Sequence, residues 1–203
     1  MTPMRLALLV LVLLLGGCAT SPGIPDTTYF RLPPRKPMAA AERPVSVQPI
    51  VVETLLADGL HSDQAIIYSL DPEGARLRAY HYQLWVDPPV RMLQRRMIGA
   101  LRDARVAGIV TDRLPAQVAS MKVEGRIERF ERVKTATGWH VAVSLSLRAD
   151  ARDGKPPLVL REYAVELPTD GDSVRDSVNA MGAALDQIFE QFVTELRGAA
   201  PDA

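Results

Sequence analysis

The stretch MKVEGRIERFERVKTATGWHVAVSLSLRAD, residues 121–150, decides the fold. Met121, Val123, Gly125 and Ile127 alternate with Lys122, Glu124, Arg126 and Glu128, the period of a strand with one buried face. At Phe130 the apolar phase slips by one residue. A slip without a turn residue predicts a bulge or bend, after which the strand continues to about Lys134. Thr137-Gly138 supplies a turn, and Val141, Val143, Leu145 and Leu147 then carry one face, with His140, Ser144, Ser146 and Arg148 on the other. Two strands of this length joined by so short a turn make a long antiparallel hairpin.

Working outward, a third strand is expected over Leu158–Leu167, after the Asp153-Gly154-Lys155-Pro156 turn. Beyond it, Val174, Val178, Met181, Leu185, Ile188, Phe189, Phe192 and Leu196 recur at helical spacing. They form a wide apolar stripe, capped by Asp172 or Ser173 and stopped at Gly198. Upstream of the hairpin, Ile109 and Val110 give a short strand. Before that, Val90, Leu93, Met97, Leu101 and Ala104 predict a helix of roughly 16 residues, with Asp87 as N-cap, Pro88-Pro89 in its first turn and an end near Gly108. Residues 76–86, RLRAYHYQLWV, read as a strand in which Leu77, Ala79 and His81 oppose Arg78, Tyr80 and Tyr82, so that one face is aromatic. Ala65–Leu70 and the run from Val45 through Ile50–Val52 are further strands, separated by a turn at Asp58-Gly59. Tyr29-Phe30-Arg31-Leu32 is a short strand, and residues 33–44, with four prolines, are expected to loop over the surface. The order is strands, helix, a meander of strands, helix. It predicts an α/β single domain, a mixed but antiparallel-rich sheet covered by two main helices.

Composition narrows the function classes. Lys plus Arg and Asp plus Glu both number 24, so no net field recommends nucleic acid. The single cysteine, Cys18, can form neither an intramolecular disulfide nor a multi-cysteine metal site. It follows Arg5, ten apolar residues from Leu6 to Leu15, and Gly16-Gly17. That pattern is a secretory signal, too short for the roughly 20 residues a membrane span needs. Leu15-Gly16-Gly17-Cys18 is similar to the bacterial lipobox, which is cut before a cysteine whose sulfur receives a diacylglyceryl group. This makes Cys18 the lipidation site and membrane anchor, and Ala19 in place of Asp points to the outer membrane. The expected organisation is a signal peptide over 1–17, a lipidated N-terminus and tether over 18–27, a domain over 28–198 and a tail over 199–203. A tether of eight or nine residues holds the domain within about 30 Å of the bilayer.

The histidines His61, His81 and His140 have no metal-ligand spacing, and no Gly-x-x-x-x-Gly-Lys phosphate loop is present. His61 stands between Asp58 and Asp63 in a segment with the composition of a turn, so an acid/base role there is the weaker reading. No catalytic, metal or cofactor site is expected, the covalent lipid on Cys18 aside. Arg91, Arg95, Arg96, Arg102 and Arg105 are read as a solvated helix face. Tyr80, Tyr82 and Trp85 read first as core or sheet cover; if they are not, their strand is the first candidate contact surface, because aromatic residues are enriched at interfaces.

The lipobox, the Tyr29–Leu32 strand, Trp85 followed by Pro88-Pro89 and a leucine-bearing helix, the long hairpin and the final helix occur in an order that covers nearly the whole mature chain. In that order the chain resembles the ABC-type transport auxiliary lipoproteins of the paraquat-inducible C (PqiC) type. The resemblance implies a fold like the anticodon-binding domain and an MCE-domain protein of a lipid-transport system as partner. It implies a non-enzymatic, outer-membrane-anchored lipoprotein facing the periplasm. The alternative is a periplasmic carrier of lipid or another small ligand, and the sequence leaves homo-oligomer formation open.

Overall fold

In the computed structural model, which describes residues 25–151 and 156–199, the chain folds around one long strand, Met121–Thr135. In chain order the elements are β1 (Thr28–Phe30), β2 (Ile50–Val52), β3 (Leu56–Ala57), β4 (Ala65–Ser69), β5 (Leu77–Trp85), α1 (Pro89–Asp103), β6 (Val110–Thr111), β7 (Met121–Thr135), β8 (Gly138–Asp150), β9 (Val159–Pro168) and α2 (Val174–Ala199). A 3₁₀ turn, Gly59–Ser62, lies between β3 and β4.

One edge of β7 pairs antiparallel with β8, from Lys122↔Asp150 to the turn at Thr135↔Gly138, and β8 pairs in the same sense with β9. The other edge receives three short parallel strands in succession. Ile50–Val52 lie beside Met121–Val123, Leu56–Ala57 beside Arg126–Ile127, and Ile67–Ser69 beside Glu131–Val133. β6 extends the sheet beyond β2, while β5 and then β1 extend it beyond β4. The predicted bulge or bend is present as a register shift between Ile127 and Arg129. It lets Met121, Val123, Ile127 and Phe130 all reach the same core.

Both helices cover that face. α1 lies over β2 and β6, and α2 over β8 and β9. The α2 stripe is buried as its spacing predicts, with Leu185, Ile188 and Phe192 fully enclosed and Phe189 nearly so. Its N-terminus is a reciprocal capping box. Ser173 Oγ accepts from the Asp176 amide at 3.1 Å, and an Asp176 carboxylate oxygen accepts from the Ser173 amide at 3.1 Å.

Four expectations are corrected. Val45 and Val47 are outside β2, and Ser46 makes only an isolated bridge to Ala107. Asp87 does not cap α1: Pro88 holds the N-cap position, and Asp87 instead takes a hydrogen bond from Arg95. α1 stops at Asp103, short of Gly108, because Arg105 adopts a left-handed φ of 51°. There the Val106 amide donates to the Leu101 carbonyl and the Arg105 amide to the Arg102 carbonyl, the paired bonds that close a helix end.

The fourth correction concerns residues 33–44. They are irregular, as expected, but they form a strap pinned to both helices. Pro33 sits on Gly182 and the Arg35 guanidinium on Gly99, each too close for a Cβ. Arg96 is no solvated residue. It is buried beneath the strap and donates to the Pro33 carbonyl at 2.8 Å, the Gly182 carbonyl at 3.2 Å and the Asp186 carboxylate at 2.9 Å. Arg197 closes the far end, donating to the carbonyls of Ala39 and Ala104, both at 2.8 Å.

Candidate functional site

The predicted aromatic strand, β5, is interrupted. Its pairing with β4 jumps from Ala65↔Leu84 to Ile67↔Ala79, so two steps along β4 span five along β5. An odd count of inserted residues reverses the facing of the side chains. Trp85 and Tyr80 therefore reach the same face. Trp85 stacks on Phe130 at 5.3 Å and is 1 % exposed, which removes it from the candidate contact surface and makes it core. Tyr80 lies two residues further along β7, over Arg132, and Tyr82 remains exposed.

Tyr80 and Tyr82 line an open groove of about 680 Å³ between the β1/β5 edge and the start of α2. Phe30, Tyr68 and Val174 give it apolar walls, and Pro25 and Asp26 form its lip. Tyr68 stacks on Tyr80 with ring centroids 4.3 Å apart. Beneath this pair lies Arg132, 1 % exposed, its guanidinium carbon 3.7 Å from the centre of the Trp139 ring. It donates to the Tyr80 hydroxyl at 3.2 Å and the Asp172 carbonyl at 2.8 Å. Burial lowers the proton affinity of Arg132, while Tyr80 and the nearby carboxylates of Asp172 and Asp176 act the other way. Burial pushes the pKa of the Tyr80 hydroxyl up, against the pull of Arg132.

Residues that sequence reasoning missed, Tyr68, Arg132, Trp139 and the first turn of α2, complete this arrangement. One signal was available. Arg132 stands two positions after Phe130, in the buried phase of β7, where an arginine is out of place.

The other expected residues, His81 on the groove wall aside, lie elsewhere. Cys18 is outside the described residues. His81 is exposed beside Tyr82, and His140 Nδ1 shares a hydrogen bond with Thr135 Oγ1 at 3.2 Å. His61 does not pair with Asp58, whose carboxylate accepts from Arg126 at 2.6 Å. On the sheet face opposite the helices, its Nε2 shares a 3.0 Å hydrogen bond with the buried Glu131, which also accepts from Arg129 Nε at 3.0 Å. Among the described residues no group of three or more His, Cys, Asp or Glu side chains could hold a metal ion. Ser173 Oγ, at the mouth of the groove, is committed to Asp176. Aromatic faces, three phenols and a helix N-terminus suit non-covalent binding.

The model of the ABC-type transport auxiliary lipoprotein component family matches residues 30–193. The chain belongs to that family. Its fold is similar to that of a Xanthomonas campestris protein described under the family name DUF330. The two chains share 18 % identity with a TM-score of 0.70, over 84 % of this chain and 96 % of that one. An uncharacterized protein is similar at 14 % identity and a TM-score of 0.68, over 84 % and 99 %. A Chlamydia trachomatis protein is more distant, at 9 % identity and 0.51, over 76 % and 98 %. No curated protein matches. Membership makes the chain a lipoprotein component that works beside an ABC-type transporter, in an envelope whose membrane holds it.

Proposed function

We propose that this auxiliary lipoprotein is a non-enzymatic adaptor, anchored through lipid on Cys18 in the inner leaflet of the outer membrane and facing the periplasm. Its partner is an MCE-domain protein of an intermembrane lipid-transport system. The family match across residues 30–193 carries the reading, since it covers the folded core from Phe30 to Val193. Ala19, after the lipobox cysteine, supports the outer-membrane address. The short tether supports the adaptor role. Pro25 is seven chain steps from Cys18, with six residues between them, so the lip of the groove stands within about 23 Å of the bilayer. The carrier alternative calls for an enclosed apolar chamber, whereas the 680 Å³ groove is open along its length.

The direct test is capture of a periplasmic MCE-domain protein by residues 19–203, set beside assays for ATPase, esterase and metal-dependent hydrolase activity. The core uses no residue before Phe30, so this fragment keeps it whole. Stable capture with no turnover is expected. Turnover, or no capture of any MCE-domain protein encoded with the chain, overturns the reading.

A further inference from the structure

β5 runs from Leu77 to Trp85, yet β1 lies beside only its last residues, Gln83–Trp85. Among the described residues no strand lies along its outer edge from Leu77 to Tyr82. On the inner side the pairing with β4 passes from Ala79 straight to Leu84. Tyr80, His81 and Tyr82 therefore have no ladder partner on either side among the described residues.

The groove runs along this stretch. Ala79, Tyr80, His81, Tyr82 and Gln83 line it in unbroken succession. Side chains of a strand alternate between two faces, so a hollow over one face is lined by every second residue. A hollow lined by consecutive residues meets the strand at its backbone edge. The chain's own N-terminal segment does not close the gap. Continued in the β1 register, Thr27, Asp26 and Pro25 would lie beside Tyr82, His81 and Tyr80. Pairing stops instead at Thr28, and Pro25 has no N–H to give to a ladder. Pro25 and Asp26 line the groove, so the chain has left the edge and the groove is the gap it leaves. Native sheets shield free edges with prolines or charged side chains. From Ala79 to Tyr82 there is no proline, lysine, arginine or acid.

An extended segment lying here would pair its backbone with Tyr80–Tyr82 and alternate its side chains. One set would enter among Phe30, Tyr68, Tyr80 and Val174, and must be apolar. At the rim, Asp26 and Arg175 are exposed, and neither makes an ion pair among the described residues. They suit a segment that carries one basic and one acidic residue. The Pro25–Asp26 lip and Ser173–Arg175 flank the gap, so it admits a single strand. The edge of a second folded sheet would bring its neighbouring strands and helices against these walls.

We infer that the open edge of β5 is a strand-addition site that takes an extended, alternately apolar segment of the MCE-domain partner. The inference rests on the adaptor reading and gives it the surface through which capture occurs.

The test is hydrogen–deuterium exchange of residues 19–203 with and without the captured MCE-domain protein. The amides of Tyr80–Tyr82 should exchange at least about tenfold more slowly in the complex, together with one contiguous segment of the partner. Variants separate backbone from side chain. Neighbouring amides of a strand point to opposite edges, so one of His81→Pro and Tyr82→Pro removes a donor on the groove side. That variant should weaken capture by about three- to tenfold. The matching His81→Val or Tyr82→Val protein, which has the amide but not the original side chain, should capture within about twofold of the parent. If the proline variants do not fold, the exchange pattern of the parent decides. Capture with Tyr80–Tyr82 exchanging as in the free domain overturns this inference alone, as do folded proline variants that both capture like the parent. Protection of these amides on concentrating the domain by itself would assign the edge to a second copy, and overturns it too. No capture at all overturns this inference together with the adaptor role.

Discussion

Pro33 rests directly on Gly182: a Cβ at position 182 would lie 2.4 Å from Pro33 Cγ. In a helix interior, glycine to alanine ordinarily gains about 0.5–1 kcal/mol. Here the proline ring cannot swing aside, because the strap is tied down by Arg96 at the Pro33 carbonyl. Overpacking at such a contact costs about 1–3 kcal/mol, so Gly182→Ala should be destabilising overall. Gly99 is the control. Its would-be Cβ meets the end of the Arg35 side chain, which can move away at the cost of an exposed ion pair with Asp103. Gly99→Ala should fall within about 0.5 kcal/mol of the parent. Urea unfolding of the two variants measures the difference, and a Gly182→Ala protein at least as stable as the parent would mean the strap is not seated on α2.

Arg105 occupies the position after α1 that glycine prefers, with a φ of 51° and an exposed side chain. A side chain in this conformation costs roughly 1 kcal/mol. Arg105→Gly should therefore raise stability by about 0.5–1 kcal/mol and leave the closing bonds to Leu101 and Arg102 intact. An unchanged or lower melting temperature would show that the arginine side chain contributes as much as the strain removes.

Phe189 is 1 % exposed in the stripe that α2 buries against the sheet. Phe189→Ala should cost about 3–5 kcal/mol, a large part of a typical domain's stability. A melting temperature unaffected by it would mean that the stripe faces a partner instead.

The hairpin of residues 121–150 was legible because each side of it has one environment over many residues, and the phase slip at Phe130 marked a bulge or bend where the register shifts. β5 was not. Its inserted residues include Tyr80, His81 and Tyr82, side chains that suit either face, so the sequence carries no mark of the reversal that sent Trp85 to Phe130. The strap was readable as irregular from its prolines, yet its seat depends on Arg96, whose partners Pro33 and Asp186 are 63 and 90 residues away. The same distance effect hid the groove. Tyr68, Arg132 and the start of α2 come together only through the parallel pairing of β4 with β7 and the return of α2 over the sheet.

Cys18 is the sole thiol, and no helix among the described residues is long and apolar enough to cross a membrane. Acyl labelling of the expressed protein should be lost in Cys18→Ala, and the folded domain of that variant, once freed of its leader, should fractionate away from membranes. Firm attachment of an unlipidated, processed protein would reveal a second anchor.

His61 separates a structural role from a chemical one. Glu131, 2 % exposed, has two partners, His61 and Arg129, and His61→Ala removes one of them. A buried acceptor left short of a donor costs about 1–3 kcal/mol, so the variant should melt earlier. His61→Gln, which can still donate to Glu131, should recover part of the loss. If the adaptor reading holds, both variants should capture the MCE-domain protein and complement a deletion strain at permissive temperature, because the pair lies on the sheet face opposite the helices and does not line the groove. A His61→Ala protein that folds normally and captures its partner, yet fails to complement, would sink the non-enzymatic reading and make His61 and Glu131 an acid/base pair in search of a substrate.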